Sequence, residues 1–531
     1  MKKIVLILSV ILGLSGLTAL EVNRGELESA GNTDSIVFIN YTGPHAVINT
    51  IEQIKNIGSS LSPAVTPGKL EVPGSFGNKN LYYVIHAVDP AVKDKLDADI
   101  LILGENAKVD HVQNLRRILS AYLVKAYNYS EKDADTLSVF ITVYNAVYRS
   151  KMDIFNAKYK TVVTSNLTKE KAGLSLNYED WPGKTQIVIP LSDLTGGLST
   201  VDTSVISDKN VTSSMQETET KEISARKDMV DIKEREAETA QNEAQDAQKA
   251  AVEAQKKAQD EEAKRKTEAD KLAKVQAEAD AAQKKANENP ADTEAQKEAQ
   301  DKQKEALQQK TVVEKQENKV TEANKEAESL KETAKVEQVI ADKKTAEAQD
   351  DRIEIAKDQQ TLSANTALLA SAVTTHGLKL IDKNNLLSAL VLIDVKTGAV
   401  VKESPVNVIR NRQVIVSGKG FIAVAGKTGG NAAVKLVILD SKTMEITKES
   451  SEIVSDKSML AYTPDFVFVI IQSQGKWYLG RYTYDITLSV KSDIAVDEAS
   501  PIVISDKGIS VTSSDGKVTL LTLDTLKTVK Q

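Results

Sequence analysis

A heptad-spaced series of small apolar residues in the middle of the chain constrains its fold more than any other feature. Alanines recur at alternating three- and four-residue spacing from Ala237 to Ala258, and the same phase resumes from Leu272 to Ala286. This spacing places one apolar stripe on a helix and is typical of a coiled coil. Ile223 shares the phase upstream, so the first predicted helix is long.

A second series with one heptad phase follows, and a short break over 287–293 separates the two. Within the break, Asn289 is predicted to cap a new helix and Pro290 to occupy its first position. Two series of nearly equal length around one break predict an antiparallel helical hairpin over 213–365 with its turn near 287–293. Two straight helices and a parallel dimer are the alternatives.

The composition of the predicted hairpin limits its stability and its role. Each arm would have about 70 residues and span roughly 100 Å at about 1.5 Å per residue. A seam of alanine buries little apolar area, so each heptad contributes less than a Leu or Ile layer would. We therefore expect a mobile tip and a solvated spacer, and we assign no site residues to this segment.

The first residues have the layout of a secretory signal peptide. Lys2 and Lys3 precede an apolar run that ends near Leu17, and Ala19 is the expected residue before cleavage. The apolar run is shorter than the about 20 residues that a membrane span needs, which disfavours the alternative of a membrane anchor. We predict a signal peptide over 1–19, with no span after cleavage and at most peripheral association with the envelope.

Residues 20–205 are predicted to form an α/β domain, with an α/β or an α+β layer fold, because short β-rich runs alternate with helical patterns. The strands are predicted at 35–40, 81–86, 100–103, 162–163 and 186–190, and the helices at 46–57, 112–127 and 132–148.

Several residues of this domain resemble parts of a functional site. The run from Tyr41 to His45 is predicted to be a strand-to-helix turn, with anion binding at the helix start as the alternative. Asp89, Glu105, Asp110 and His111 follow strands, so a carboxylate–His pair is conceivable, but charged loop residues are common. Trp181-Pro-Gly183 is predicted to be a packed turn. We assign no catalytic, cofactor-binding or metal-binding residues and no cofactor.

The C-terminal segment, 375–531, is predicted to contain repeated β units. Strand–turn–strand units recur around Asp394, Asp440, Asp485 and Asp524, whose spacing is on the scale of a propeller blade. Each Asp is expected to cap its turn by accepting hydrogen bonds from backbone N–H groups. A four-bladed ring, a partial propeller and an open stack are all compatible with this pattern. Such modules are mostly binding platforms. The chain as a whole is therefore predicted to be a multidomain α+β protein.

Three runs of residues carry a family resemblance, namely Asp110-His-Val-Gln-Asn-Leu-Arg116, Tyr144-Asn-Ala-Val-Tyr-Arg149 and Asn177-Tyr-Glu-Asp-Trp-Pro-Gly-Lys-Thr-Gln-Ile-Val-Ile-Pro190. With them, the chain resembles the spirochaetal major antigen family of 83 and 100 kDa first described in Borrelia. The order of a signal peptide, an N-terminal domain, a charged coiled coil and a β-rich tail is similar too. The resemblance implies an exported, strongly antigenic protein with no established activity, and it supplies no catalytic residues.

The net charge and the absence of cysteine exclude several classes of function. A formal net charge of −7 argues against a protein that binds nucleic acid by neutralising phosphates. The absence of cysteine excludes disulfides, thiol catalysis, thiolate metal sites and a lipoprotein anchor. We expect a non-enzymatic periplasmic or envelope-associated scaffold that binds protein partners through its β repeats and its α/β domain. A surface-exposed or released antigen or adhesin is the second hypothesis, and an enzyme using the α/β domain is the third.

Overall fold

The structure is a computed structural model that describes residues 36–61, 74–92, 94–192, 200–215, 220–370 and 373–529. The predicted signal peptide lies outside these residues. In the described part of the chain, no helix combines the length and the apolar character needed to cross a membrane. The mixed α+β class, with a long helical segment, is confirmed.

The N-terminal domain contains one five-stranded sheet whose strands follow chain order across the sheet. Every neighbouring pair is antiparallel. The α/β label predicted for the domain is therefore corrected to α+β, the second of the two expected layer folds, because an antiparallel meander with helices on it is an α+β arrangement. The strands are β1 Gly74–Asn78, β2 Tyr82–Ala87, β3 Asp97–Leu103, β4 Thr185–Ser192 and β5 Thr200–Val201.

Seven helices are described in the same domain, namely α1 Ile51–Leu61, α2 Val112–Tyr127, α3 Glu131–Val147, α4 Met152–Lys158, α5 Thr161–Thr164, α6 Thr203–Ile206 and α7 Lys209–Ser214. Two predicted strands are corrected here. Val162 and Val163 lie in a single helical turn, which a two-residue β-branched run could not reveal. Residues 36–40 are extended but form only one strand-like pairing, between Ile39 and Asn177.

Two long helices follow, α8 Thr220–Glu288 and α9 Thr293–Ala370, and they pack against each other in antiparallel orientation. Ile223 meets Ile355 at the base, whereas Ala286 meets Ala299 near the turn. The helix α8 has 69 residues. At about 1.5 Å per residue, it is about 100 Å long.

The cap of α9 differs from the prediction. The carboxylate of Asp292 accepts hydrogen bonds from the N–H groups of Glu294 and Ala295, both at 3.0 Å. Asp292 therefore caps the helix, and Pro290 lies in the turn before it. Asp and Asn cap helices about equally well, so residue type alone did not decide between Asn289 and Asp292.

A polar layer interrupts the alanine seam between the arms. The Gln316 amide donates to the Glu261 carbonyl at 3.2 Å and also to the Glu261 carboxylate. One heptad away, the Gln309 amide makes the same pair of bonds to Glu268, at 3.2 and 2.7 Å. Each glutamine amide donates to the carbonyl of one particular residue on the opposite helix, so these layers favour one register between the arms.

The base of the hairpin is docked on the N-terminal domain. Met229 and Ile232 of α8 belong to the apolar core of that domain.

Two ion pairs surround these apolar contacts. Lys132 of α3 pairs with Asp228 of α8 at 2.8 Å, and Asp133 of α3 pairs with Arg235 of α8 at 2.7 Å. The hairpin therefore leaves the domain from a fixed base.

The C-terminal segment consists of four small antiparallel sheets. They contain β6 Thr374–Asp382, β7 Leu387–Asp394 and β8 Val400–Glu403; β9 Ile415–Ser417, β10 Gly420–Ala425, β11 Lys435–Leu439 and β12 Ile446–Glu449; β13 Ala461–Tyr462, β14 Phe466–Ser473, β15 Lys476–Thr483 and β16 Leu488–Lys491; β17 Val503–Ser505, β18 Gly508–Thr512 and β19 Val518–Leu521. Each sheet shares an apolar cluster with the next along the chain. Among the described residues, neither a closed barrel nor a closed propeller is present.

The turns of these repeats confirm the Asp cap in two copies of the four. Asp394 accepts from the N–H groups of Lys396 and Thr397, both at 2.9 Å. Asp440 accepts in the same way from the second and third residues after it, at 2.8 and 2.7 Å. The other two turns close around Thr483 and Thr522 instead.

Three of these turns place a buried apolar side chain in the left-handed backbone region. Met444, Ile486 and Leu526 have φ angles of 60°, 47° and 50°, and all three are buried in the clusters between sheets. The left-handed region is unfavourable for such residues. Burial of the side chain between sheets offsets this cost, so each turn also fixes the stacking of its sheet.

Candidate functional site: the joint and its groove

A short segment before α1, residues 41–47, joins the two terminal domains, and we call it the joint. The N–H of Ala46 donates to the Asn431 carbonyl at 2.6 Å, and the N–H of Ala433 donates to the Pro44 carbonyl at 2.9 Å. The Thr42 hydroxyl donates to the carbonyl of Pro405 at 2.5 Å. The joint is therefore paired with two loops of the C-terminal sheets.

Tyr41 anchors the joint in the apolar core of the C-terminal sheets. It is 3% exposed and belongs to the cluster that includes Phe421. Its hydroxyl donates to the Pro44 carbonyl at 2.8 Å and accepts from the N–H of Lys427 at 3.3 Å. Burial raises the pKa of Tyr41 to about 12. The phenol is thus held neutral between the domains.

The prediction of a strand-to-helix turn at Tyr41–His45 is wrong. The helix α1 begins only at Ile51, so no helix start lies at His45 to bind an anion. Gly43 is needed for a different reason, because a Cβ atom there would lie 2.7 Å from the Val408 side chain and 2.8 Å from the Tyr41 hydroxyl oxygen. The glycine permits close contact between the domains.

A groove of about 440 Å³ lies beside the joint. It is lined by aliphatic side chains, by several polar side chains and by one residue of the C-terminal sheets, Asn431. Val47, Ile48 and Ile51 are 62%, 73% and 55% exposed. An exposed aliphatic cluster of this kind at a domain junction is typical of a binding site.

The groove contains a carboxylate–His pair that joins one expected candidate, Asp110, to a histidine outside the expected set, His45. His45 Nε2 lies 2.9 Å from Asp110 Oδ2, and both side chains are partly exposed. Neither serine, threonine nor cysteine is among the described residues that line the groove, and its tyrosine, Tyr82, accepts a bond from the N–H of Lys108 at 3.1 Å. The burial of Tyr82 raises its pKa. The arrangement offers recognition groups rather than an activated nucleophile.

Among the described residues, the other three candidates make no hydrogen bond or ion pair with the side chains of this pair, although His111 is close enough to interact electrostatically with both. Asp89 accepts a hydrogen bond from the N–H of Ala91, and Glu105 is exposed. His111 caps α2 by accepting from the N–H of Gln113 at 3.1 Å, and burial lowers its pKa.

Trp181 is fully buried and donates to the Ser175 carbonyl at 2.8 Å. It lies in a packed turn, as predicted.

Two buried polar clusters inside the N-terminal domain escaped the sequence reasoning. Asp99 accepts from the hydroxyls of Tyr122 and Tyr127 and is bonded to His86. All four side chains are buried. Burial is the largest cause of the strongly raised pKa of both tyrosines, and the Asp99 charge adds to it.

The second cluster is an ion pair between Lys160 and Asp97, which are 2.7 Å apart and almost fully buried. The ammonium group also donates to the Asp89 carbonyl at 2.8 Å. The side chains of both clusters are closed to solvent and satisfy one another, so neither cluster presents a free group to a ligand. Among the described residues, no group of three or more His, Asp or Glu side chains is arranged to hold a metal ion.

The residues that carry the family resemblance have structural roles in the domain. The Asn145 side chain pairs with both backbone groups of Val188, at 2.8 Å each. Arg149 donates to the carbonyls of Glu170, Lys171 and Gly173. These bonds fix the loop that leads into β4.

Comparison with known proteins gives one family. A search of curated proteins finds no match. The model of the Borrelia P83/100 protein family matches residues 24–501, most of the chain. The chain therefore belongs to the Borrelia P83/100 protein family.

Proposed function

We propose that this protein is an exported, non-enzymatic scaffold of the cell envelope or periplasm. The hairpin acts as its spacer, and the C-terminal β repeats act as its module for binding a protein partner. Membership in the P83/100 family is consistent with an antigen of the envelope or surface.

One observation carries the proposal, namely that the arms are anchored only at their base. Among the described side chains, residues 237–346 make no hydrogen bond or ion pair with either terminal domain. Contacts between the arms and the N-terminal domain occur at the base. For example, the Ser204 hydroxyl donates to the Glu347 carboxylate at 2.7 Å. A long arm of this kind adds reach while leaving the globular body intact.

We further propose the corresponding division of the chain. It comprises a signal peptide over 1–19, a domain over 20–205, the hairpin over 213–365 with its turn near 287–293, and a β-repeat domain over 375–531. The joint supports treating the two terminal domains as one body at the foot of the hairpin. The four stacked sheets support a small or partial propeller-like module.

Photocrosslinking in living cells tests the binding role. A photoreactive residue at Val416 or Val518, 73% and 79% exposed on the sheets, should capture a protein partner. A matched position on the arm, Val339, 67% exposed, should not. Capture from the arm alone would show that the hairpin is the binding element and would overturn the proposal.

Protease treatment tests the compartment and separates the proposal from the second hypothesis of a surface adhesin. The lysine-rich arms should be cut readily wherever protease reaches them. We expect cutting only after the outer membrane is permeabilised. Cutting on intact cells would contradict a periplasmic scaffold and favour a surface-exposed antigen or adhesin.

Paired deletion of whole heptads tests the spacer role. Removing 273–286 and 294–307 shortens both arms by 14 residues, keeps the turn and Asp292, and preserves the heptad phase. The shortened protein should fold with unchanged terminal domains and lose reach by about 20 Å at about 1.5 Å per residue. Partner capture at Val416 in the purified protein should stay unchanged.

A further inference from the structure

We infer that the groove beside the joint binds the anion of a long-chain fatty acid, with the alkyl tail on the aliphatic wall and the carboxylate at the basic end. This ligand site is distinct from the protein-binding surface proposed above.

The aliphatic wall has the character required for an alkyl tail. Ile54 and Ile118 form a buried floor, while Val47, Ile48 and Ile51 stand exposed around it. The volume of about 440 Å³ lies within the range of about 300 to 1,000 Å³ that is usual for small-molecule sites. Each methylene that leaves water for such a wall adds to the affinity, because burial of apolar surface is favourable.

The basic side chains of the groove, Lys108 and Arg117, which we call its basic end, have the character required for a carboxylate. Lys108 and Arg117 both line the groove, and among the described residues no carboxylate lies within ion-pair distance of either. Arg117 donates to the Asn114 side chain at 2.7 Å, which leaves further guanidinium N–H groups for a ligand. An arginine fork is suited to bidentate contact with a carboxylate.

The groove also contains a negative charge, on Asp110. That carboxylate is bonded to His45 at 2.9 Å, on the side of the joint. Among the described residues, Lys108 and Arg117 have no ion-pair partner and Asp110 is bonded to His45, so the charged side chains of the groove carry a positive balance. An anionic head on an apolar tail is therefore a better match for this groove than a neutral lipid or a cationic peptide.

Fluorescence titration with cis-parinaric acid, a fatty acid that fluoresces in apolar sites, tests the inference on the purified full-length protein. We expect saturable binding with one site per chain. The methyl ester of the same acid, which keeps the tail and removes the charge, should bind at least tenfold more weakly. Equal binding of acid and ester would overturn the inference.

Two variants with matched controls locate the site. Ile48→Asp should weaken binding at least tenfold, whereas Val416→Asp, on an equally exposed residue of the sheets, should not. The double variant Lys108→Glu/Arg117→Glu should weaken acid binding at least tenfold and leave ester binding unchanged. Its control, Lys125→Glu/Lys169→Glu, carries the same charge change on exposed residues away from the groove.

Circular dichroism and thermal melting should coincide for all four proteins, because the changed residues are exposed or partly exposed. Equal losses in a variant and its control would overturn the site. Binding to vesicles of anionic phospholipid without binding of monomeric fatty acid, or displacement of the probe only by an apolar peptide, would overturn the ligand class.

Discussion

The N-terminal domain and the hairpin arms bury side chains of different size, and this difference indicates which part of the molecule is more stable. The domain encloses Trp181, Tyr122, Phe140 and an almost fully buried ion pair. The seam between the arms is mostly alanine, with Gln–Glu layers. Because buried apolar area sets most of the stabilisation, the domain is the rigid part and the arms are marginally stable.

The buried ion pair gives the largest predicted effect. Replacing Lys160 by Met leaves the Asp97 carboxylate buried without its cation, so the free energy of unfolding of the domain should fall by about 3–5 kcal/mol. Chemical denaturation followed by tryptophan fluorescence measures this change. The double variant Lys160→Met/Asp97→Leu should recover most of the loss. If the single and double variants lose the same amount, the buried charge is not the cause.

The joint gives the next largest effect. In Gly43→Ala, the new Cβ atom would meet Val408 and Tyr41 at less than 3 Å, so the contact between the domains should weaken by about 1–3 kcal/mol. After the arms are nicked by protease, the two halves of this variant should separate more readily on size-exclusion chromatography. Gly418→Ala, where nothing lies within 4 Å of the new atom, is the control. Identical behaviour of both variants would show that the joint does not hold the domains together.

The same contact should depend on pH through Tyr41. Its pKa is about 12 in the fold, above the ordinary value of about 10, so the fold favours the protonated phenol. This contribution is complete below pH 10 and is lost as the pH rises through 12. The association of the nicked halves should therefore weaken over that interval. Tyr41→Phe, which cannot ionise, should show a shallower fall, and an unchanged slope would contradict the assignment.

The smallest effects are predicted in the arms. Gln316→Ala removes bonds to Glu261 and should lower the free energy of unfolding of the arms by about 1 kcal/mol, measured from the midpoint of the helical melt at 222 nm.

The surface charges of the arms should matter less. Lys257 pairs with Glu326 at 2.8 Å on an exposed surface, so Lys257→Ala should change the free energy of unfolding of the arms by less than about 0.5 kcal/mol in the same melt. A larger effect of Lys257→Ala would mean that surface charges, rather than the seam, hold the arms together.

The sequence predicted elements set by local periodicity and missed contacts between distant residues. The helical segment followed from the spacing of alanines such as Ala240 and Ala244, which pack in the seam. The seam positions of Gln309 and Gln316 were missed because glutamine is not apolar, although the heptad spacing marks them.

The joint could not be predicted from the sequence. Asn431 accepts a bond from the N–H of Val47, 384 residues away in the chain. No local pattern records such a pairing. A carboxylate–His pair was conceivable among Asp89, Glu105, Asp110 and His111, but His45 was not among those candidates. His45 and Asp110 meet only through the fold.

The β region contains a second sequence repeat, of buried serines, which the prediction from the Asp turns missed. Ser404, Ser450 and Ser492 recur at similar spacing, and each is buried with its backbone N–H donating to a neighbouring strand at 2.8 Å. These serines mark the repeats better than the Asp residues do, because two of the Asp positions do not cap the turns. A buried polar residue at a repeating position is a structural signal even without an apolar pattern.

Hydrogen exchange measured by mass spectrometry on the full-length protein tests the anchored-arm arrangement most directly. Amides in β3, α2 and α3, and in the hairpin base near Met229 and Ile355, should exchange slowly. Protection should fall along both arms and reach its minimum beside the turn at 287–293. Uniform protection along the arms, or a tip protected as strongly as the base, would contradict a marginally stable spacer fixed at its foot.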